Sequence, residues 1–191
     1  MAARKPASRQ PRLTDNQYSQ YARQIKRWVK SANLTAPEYQ ADSRKRDEWG
    51  IVGEGVAHYD GKPHVYVLED ASQQCSPEEA AQAVVMLYHK LGADSIVAES
   101  NNGGEMVALT IHTVDRNVPV KLVHASRGKQ ARAEPISAIY QQNRAHHVGR
   151  FSRLEDELCQ WEPGGPSPNR LDALVWGATE LIGSARGARS T

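Results

Sequence analysis

The sequence of 191 residues has no apolar run approaching the ~20 residues needed to cross a bilayer, which excludes a helical membrane anchor. Its N-terminus is basic, but no apolar stretch follows, so no secretory signal is read there. Cysteine is scarce. Cys75 and Cys159 are too few for a disulfide framework or a cysteine-based zinc site, and both read as partly buried thiols in a reduced, cytoplasmic protein. Three catalytic signatures are also missing. There is no GxxxxGK[ST] phosphate loop, no GxSxG nucleophile turn and no HExxH zinc helix.

Charge of one sign is nearly absent in sum, with 24 Lys and Arg against 22 Asp and Glu. The sum hides a split. Residues 1–48 hold 11 basic and 5 acidic side chains, a net of +6; residues 49–191 hold 13 and 17, a net of −4. A basic front segment suits a polyanion such as nucleic acid, and it equally suits a solvated leader. Hydrophobic residues make up 39%, enough for a packed core in one domain.

Residues 1–15 are rich in Arg, Lys, Pro, Ser and Gln and read as disordered. Tyr18, Tyr21, Ala22, Ile25, Trp28 and Val29 recur at helical spacing, so the pattern predicts a basic helix over 16–31. Residues 33–46 have no clear period and read as a loop. The globular part is expected over 49–183, with a small polar tail at 184–191. Strands are expected at 50–59 and 64–68, joined through the hairpin signal Asp60-Gly61. Ser76, Pro77 and Glu79 form a capping box for a helix that stops at Gly92. Further strands are expected at 95–98, 118–123 and 146–148. Further helices are expected at 105–113, 132–143, 152–160 and 170–182. A hairpin followed by β-α alternation implies a mixed sheet with helices on its faces, and ligands then gather at the carboxyl ends of the strands.

Glu99 closes a short buried strand at such an end, and Asp172 opens the last helix. Two acids on rigid elements can share a divalent cation, and paired cations drive in-line phosphodiester hydrolysis. The plainer alternatives are a strand-end carboxylate and a first-turn acid favoured by the helix dipole behind an Asn169 cap. Glu69, Asp70, Glu54 and Asp47 compete for the same role. Arg127, Lys129 and Arg132 cluster between a strand and a helix, where they can meet phosphates or simply be solvated. His146 and His147 are adjacent on a strand, so their side chains point to opposite faces and do not easily share a metal.

The segments VYVLEDAS, SPEEAAQAVVMLYHKLGADSIVAESNNGGEMV, VPVKLVHASRGKQARAEPISAIYQQNRAHHVGRF and NRLDALVWGATEL follow one another in order. Together they resemble the C-terminal nuclease domain of tailed-phage terminase large subunits, over roughly Trp49 to Ile182. The resemblance implies a ribonuclease H-like α/β fold, a mixed sheet flanked by helices. It also implies a metal-dependent endonuclease that cuts concatemeric DNA during genome packaging, using Mg²⁺ or Mn²⁺ in a two-metal site. Glu99 matches the family's strand-ending acid and Asp172 the acid of its last helix, with Asp47 an auxiliary ligand. Arg127, Lys129 and Arg132 then lie near the DNA backbone. The implied partners are double-stranded DNA, an ATPase motor, the small terminase subunit and the portal. The implied location is the cytoplasm of a bacterial host, from a phage or prophage gene.

Two departures stand out. The 48 residues before Trp49 are too few for the motor domain. The family's first strand, with its Asp in a VDP-like motif, is not found; the stretch SANLTAPEYQADSRKRDEWG is polar and does not read as a strand. A site without that acid is expected to be severely impaired. The alternatives are therefore an endonuclease, a catalytically impaired DNA-binding or packaging module, and another ribonuclease H-like nuclease such as a junction resolvase. A separate nuclease subunit, a truncated remnant and a repurposed DNA-binding piece are all compatible with the sequence.

Overall fold

The computed structural model describes residues 29–35, 48–100, 104–124, 128–162, 165 and 168–187. Asp47, Arg127 and residues 16–28 of the expected basic helix lie outside the described residues.

Within them the chain runs β1 (Val29–Thr35), β2 (Glu48–Tyr59), β3 (Lys62–Asp70), β4 (Gln73–Gln74) and α1 (Pro77–Leu91). It continues through β5 (Ser95–Glu99), α2 (Gly104–Val114), β6 (Val120–Val123), α3 (Lys129–Gln141), β7 (Ala145–His147), α4 (Ser152–Gln160) and α5 (Asn169–Gly187). The sheet order is β6-β5-β1-β2-β3-β7, with β4 paired to the start of β2. β2 is antiparallel to both of its main neighbours, whereas β1, β5 and β6 run parallel to one another and β7 runs parallel to β3.

Local sequence explains several elements directly. The Ser76 side chain accepts from the Glu79 N–H and Glu79 returns to the Ser76 N–H, closing the capping box; α1 ends at Gly92 in the left-handed region. Asp60 and Gly61 both take positive φ, as a tight two-residue hairpin turn demands.

The first strand corrects the sequence reading. It is present, and it is the central strand. Val29–Ser31 are extended, not the end of a helix, and Asn33–Thr35 are strand, not loop. β1 pairs with β2 on one side (Thr35 opposite Gly50) and with β5 on the other (Leu34 opposite Ala98). Ala32 and Leu34 face α1 in a core with Ile51, Val84, Leu87, Ile96 and Ile111. Ser31, Asn33 and Thr35 alternate to the opposite face, and all three are buried.

That opposite face is covered by α3, α4 and α5, whose Ile136, Leu154, Leu171, Leu174 and Ala178 pack on Val52, Val65 and Val67. α5 comes very close to the sheet at two glycines. A Cβ at Gly50 would lie 2.0 Å from the Asn169 carbonyl oxygen, and one at Gly177 would lie 1.9 Å from Glu54 Oε2. These two contacts fix α5 lengthwise over β1 and β2, with its N-terminus at the carboxyl ends of the parallel strands.

Candidate functional site

The chain leaves β1 toward β2 on one side, while its parallel neighbour β5 lies on the other. In open α/β sheets the crevice at such a divergence is where ligands bind. Here its floor is the ends of β1 and β5. Glu99 follows Ala98, the register partner of Leu34, so it lies level with Thr35 on the neighbouring strand. Strands are about 4.8 Å apart, and both side chains point to the α5 face.

Asp172 reaches the same place from above. Trp176 packs on Val97 and Val123 across the α5 face. Asp172 lies one helical turn earlier, about 6 Å toward the N-terminus of α5. Glu99 lies two residues beyond Val97, about 6.6 Å toward the carboxyl end of β5. The two displacements have the same direction and nearly the same length. They put Glu99 and Asp172 toward the same end of the sheet, on the face that α5 covers.

The N-terminal turn of α5 is fastened hard. Arg170 is 3% exposed. Its Nε donates to Asp70 Oδ2 at 3.1 Å, its Nη1 to Glu157 Oε1 at 3.2 Å and to Glu48 Oε2, and its Nη2 to the Ser72 carbonyl at 3.3 Å. Burial works against the guanidinium charge, and the hydrogen bond it donates to Glu48 with the charges of Asp70 and Glu48 outweighs it, so its pKa is raised. Burial pushes the Glu157 carboxyl up, against its bonds from Leu171 and Arg170. Asn169 is the first residue of the helix, and its Nδ2 donates to the Glu48 carbonyl at 2.6 Å. The Asp172 N–H is taken by the Pro168 carbonyl at 3.1 Å.

Basic side chains border the crevice from α3. Lys129 Nζ lies 3.1 Å from Asp172 Oδ2, a pair whose Asp is nearly buried. One turn on, the Arg132 guanidinium sits 4.2 Å from the centre of the Trp176 ring. Arg132 is buried, its Nε and Nη1 have no hydrogen-bond partner, and the indole face takes up its charge. It braces α3 on α5 and is not presented at the surface. At the end of β6, Ser100 Oγ donates to the Val123 carbonyl at 3.0 Å and lies 3.3 Å from His124 Nδ1.

One rung deeper is a polar cluster that sequence reading missed as a unit. Asn33 Nδ2 donates to Glu54 Oε2 at 2.6 Å and to the Val52 carbonyl at 3.0 Å. Glu54 is fully buried, which pushes its carboxyl well above the usual range. Glu54 Oε1, Asn33 Oδ1, Ser31 Oγ and Thr35 Oγ1 are buried without hydrogen-bond partners. Of the competing acids, Glu54 is therefore a core residue whose burial favours the neutral form, Asp70 is bound by Arg170, and Glu69 pairs with Lys90 at 2.6 Å. No sequence signal marks Asn33 or Glu54 beyond the glycine in the last-helix motif, Gly177, which leaves the room they fill.

Among the described residues, no three His, Cys, Asp or Glu side chains form a group able to hold a metal ion. The crevice offers two carboxylates, Glu99 and Asp172, and one buried unpartnered hydroxyl, Thr35 Oγ1. That donor set fits one hard divalent cation, which completes its sphere with water or phosphate oxygen. Among the described residues it holds no further acid for a second cation.

A mixed sheet with a central parallel pair, an antiparallel second strand and a closing helix that carries an acid defines a ribonuclease H-like domain. The chain belongs to the terminase RNaseH-like domain family, which matches residues 41–176. β1 lies ahead of that match. Two solved structures share the fold. The nuclease domain of the large terminase g2p from bacteriophage SPP1, with bound Mn, is 13% identical at a TM-score of 0.52 and covers 88% of this chain and 92% of that one. The large terminase nuclease from thermophilic phage G20c, with bound zinc, is 9% identical at a TM-score of 0.56 and covers 80% and 81%. At those identities the likeness is one of fold. Comparison with curated proteins gives no match.

Proposed function

We propose that the chain is a DNA endonuclease domain of phage-terminase type, which cuts double-stranded DNA during genome packaging. The observation that carries this reading is the convergence of Glu99 and Asp172 at the β1–β5 crevice. The backbone of Glu99 is set by the end of β5 and that of Asp172 by the clasped first turn of α5. Together they would hold a divalent cation, Mg²⁺ or Mn²⁺, with Asp47 a further acid toward it. Such an ion supplies charge neutralisation at the phosphodiester and a water of lowered pKa. Lys129 neutralises Asp172 and is the cation nearest an incoming phosphate. Arg127, two positions before Lys129 in the sequence, would contact the DNA backbone as well. An ATPase motor, a small terminase subunit and a portal are the partners of the same reading. No helix among the described residues is long and apolar enough to cross a membrane, in keeping with work on DNA inside a host cell.

Relaxation of supercoiled plasmid with Mn²⁺ tests the reading. The expected result is nicking that is lost in Glu99→Ala and in Asp172→Ala. Nicking that survives both changes would remove the assignment.

A second reading is favoured by the neutral α5 face of β1, where Ser31, Asn33 and Thr35 stand and no acid does. The chain is then a DNA-binding packaging module with little or no hydrolysis. Its signature is salt-sensitive DNA binding with no nicking, weakened by removal of residues 1–27.

A further inference from the structure

The family's site draws an acid from its first strand, and this chain has three neutral side chains on the relevant face of β1. Their places differ. Asn33 lies level with Val97 and Val52, under Gly177, with its amide committed to Glu54 Oε2 and the Val52 carbonyl. Ser31 lies deeper again, level with Ser95 and Glu54. Thr35 lies level with Gly50, where an added Cβ would lie 2.0 Å from the Asn169 carbonyl oxygen and 3.2 Å from the Ala173 methyl. Asn169 and Ala173 bracket Asp172. On its other side Thr35 stands beside Glu99. Its Oγ1 is buried and has no hydrogen-bond partner.

A buried hydroxyl without a partner is costly, about 1–3 kcal/mol, and natural structures tolerate one where a ligand or ordered water supplies the missing bond. We propose that Thr35 is the first-strand position of this site, its Oγ1 the third protein oxygen beside Glu99 and Asp172 toward a single divalent cation, while Asn33 is a packing residue. The inference rests on the proposed role of Glu99 and Asp172. It accounts for two features together. A hydroxyl completes a one-cation donor set without adding the negative charge that a second cation needs. The deeper rung, closed by Asn33, Glu54 and Gly177, is filled by side chains and has no room for an ion.

The test is Mn²⁺ binding to the whole chain, followed by electron paramagnetic resonance of the free ion, with thermal melting to confirm folding. Thr35→Val keeps the shape and removes the oxygen. Second-sphere changes at metal sites cost 10–100-fold in affinity, so loss of a ligand is expected to weaken binding by at least about tenfold. Thr35→Asp is expected to tighten binding by a similar factor and to bring in a second Mn²⁺. Asn33→Asp is expected to do neither and to lower the melting temperature, because it sets a second acid against buried Glu54. Glu99→Gln and Asp172→Asn control the underlying reading. If both still bind Mn²⁺ like the unmodified chain, that reading fails. If they lose binding while Thr35→Val keeps it, the site stands and Thr35 is no ligand. Tightening by Asn33→Asp in place of Thr35→Asp also overturns the inference, as does absence of Mn²⁺ binding in both the unmodified chain and Thr35→Asp.

Discussion

Replacing Glu54 by Gln should change how stability depends on pH while leaving stability in acid almost untouched. The carboxyl is fully buried and its pKa in the fold is raised by desolvation above its ordinary 4.5. Between those two values the folded chain holds a proton that the unfolded chain has lost. Stability is therefore complete below the unfolded pKa and falls as pH rises toward the folded one. A single proton gives a slope of about 1.4 kcal/mol per pH unit. For a chain of this size 1 kcal/mol shifts the melting temperature by about 2–4 °C, so the decline is about 3–6 °C per unit. His146 works the other way. Burial, then the charges of His64 and His147, push it down to about 4, so its contribution is lost as pH falls below 6.5. It is only half-buried, and solvent screening makes that slope the shallower one. Glu157, also raised by burial, adds to the Glu54 trend, and His64 and His147, lowered by burial, add to that of His146; comparing the variant with the unmodified chain cancels all of these and leaves the Glu54 part. Glutamine keeps an acceptor for Asn33 Nδ2 and adds a donor beside the two orphaned oxygens, Glu54 Oε1 and Asn33 Oδ1. Thermal melts by circular dichroism from pH 4 to 8 should show the variant and the unmodified chain together at the acid end and the variant increasingly ahead as pH rises past the ordinary carboxyl value of 4.5. A constant offset at all pH values would refute a neutral buried Glu54, and so would a variant that falls behind as pH rises.

Gly177→Ala forces a methyl within 2.0 Å of both Glu54 Oε2 and Asn33 Nδ2, two core groups with nowhere to move. A loss of about 1–3 kcal/mol in urea unfolding is expected, and Glu54→Ala in the same chain should recover part of it. Arg170→Met leaves Glu48, Asp70 and Glu157 without their shared cation. The expected cost is about 3–5 kcal/mol, and equilibrium unfolding that shows less than 1 would mean the clasp is dispensable. Lys129→Met removes the positive charge 3.1 Å from Asp172. Mn²⁺ binding should tighten while the salt dependence of DNA binding loses about one ion, and a parallel loss of both would contradict the placement.

Much of the fold was legible because the governing residues act locally. Ser76 with Glu79, Asp60 with Gly61 and the apolar stripe of α1 each state their structure within a few positions. Glu99 and Asp172 were singled out through motif order, one at the end of β5 and the other in the first turn of α5. β1 was not legible. Its period-two pattern is inverted from the usual one: Ser31, Asn33 and Thr35 are polar yet buried, so a rule that equates burial with apolar side chains reads a loop. Their partners, Glu54 and Gly177, lie 21 and 144 positions from Asn33, and nothing local announces either. Arg132 was misjudged for a related reason. In sequence it stands with Lys129 as one basic cluster, but one helical turn carries it under Trp176. Lys129–Gln141 also begins three residues earlier than the pattern suggested, and α5 runs on to Gly187 instead of stopping at Ile182.

The place of β1 also sets the order in which this sheet can close. It is the earliest described strand in the chain, yet both flanks of the sheet are built on it, one by the immediate hairpin β2–β3 and the other only when β5 arrives some sixty residues later. Until then its parallel edge is open, and the polar side chains destined for the interior are in water. A cut into β1 therefore does more than shorten the chain: it takes the keel from between two half-sheets that otherwise meet only through the helices packed on them. Removal of Val29–Ser31 should abolish the cooperative thermal transition of the chain.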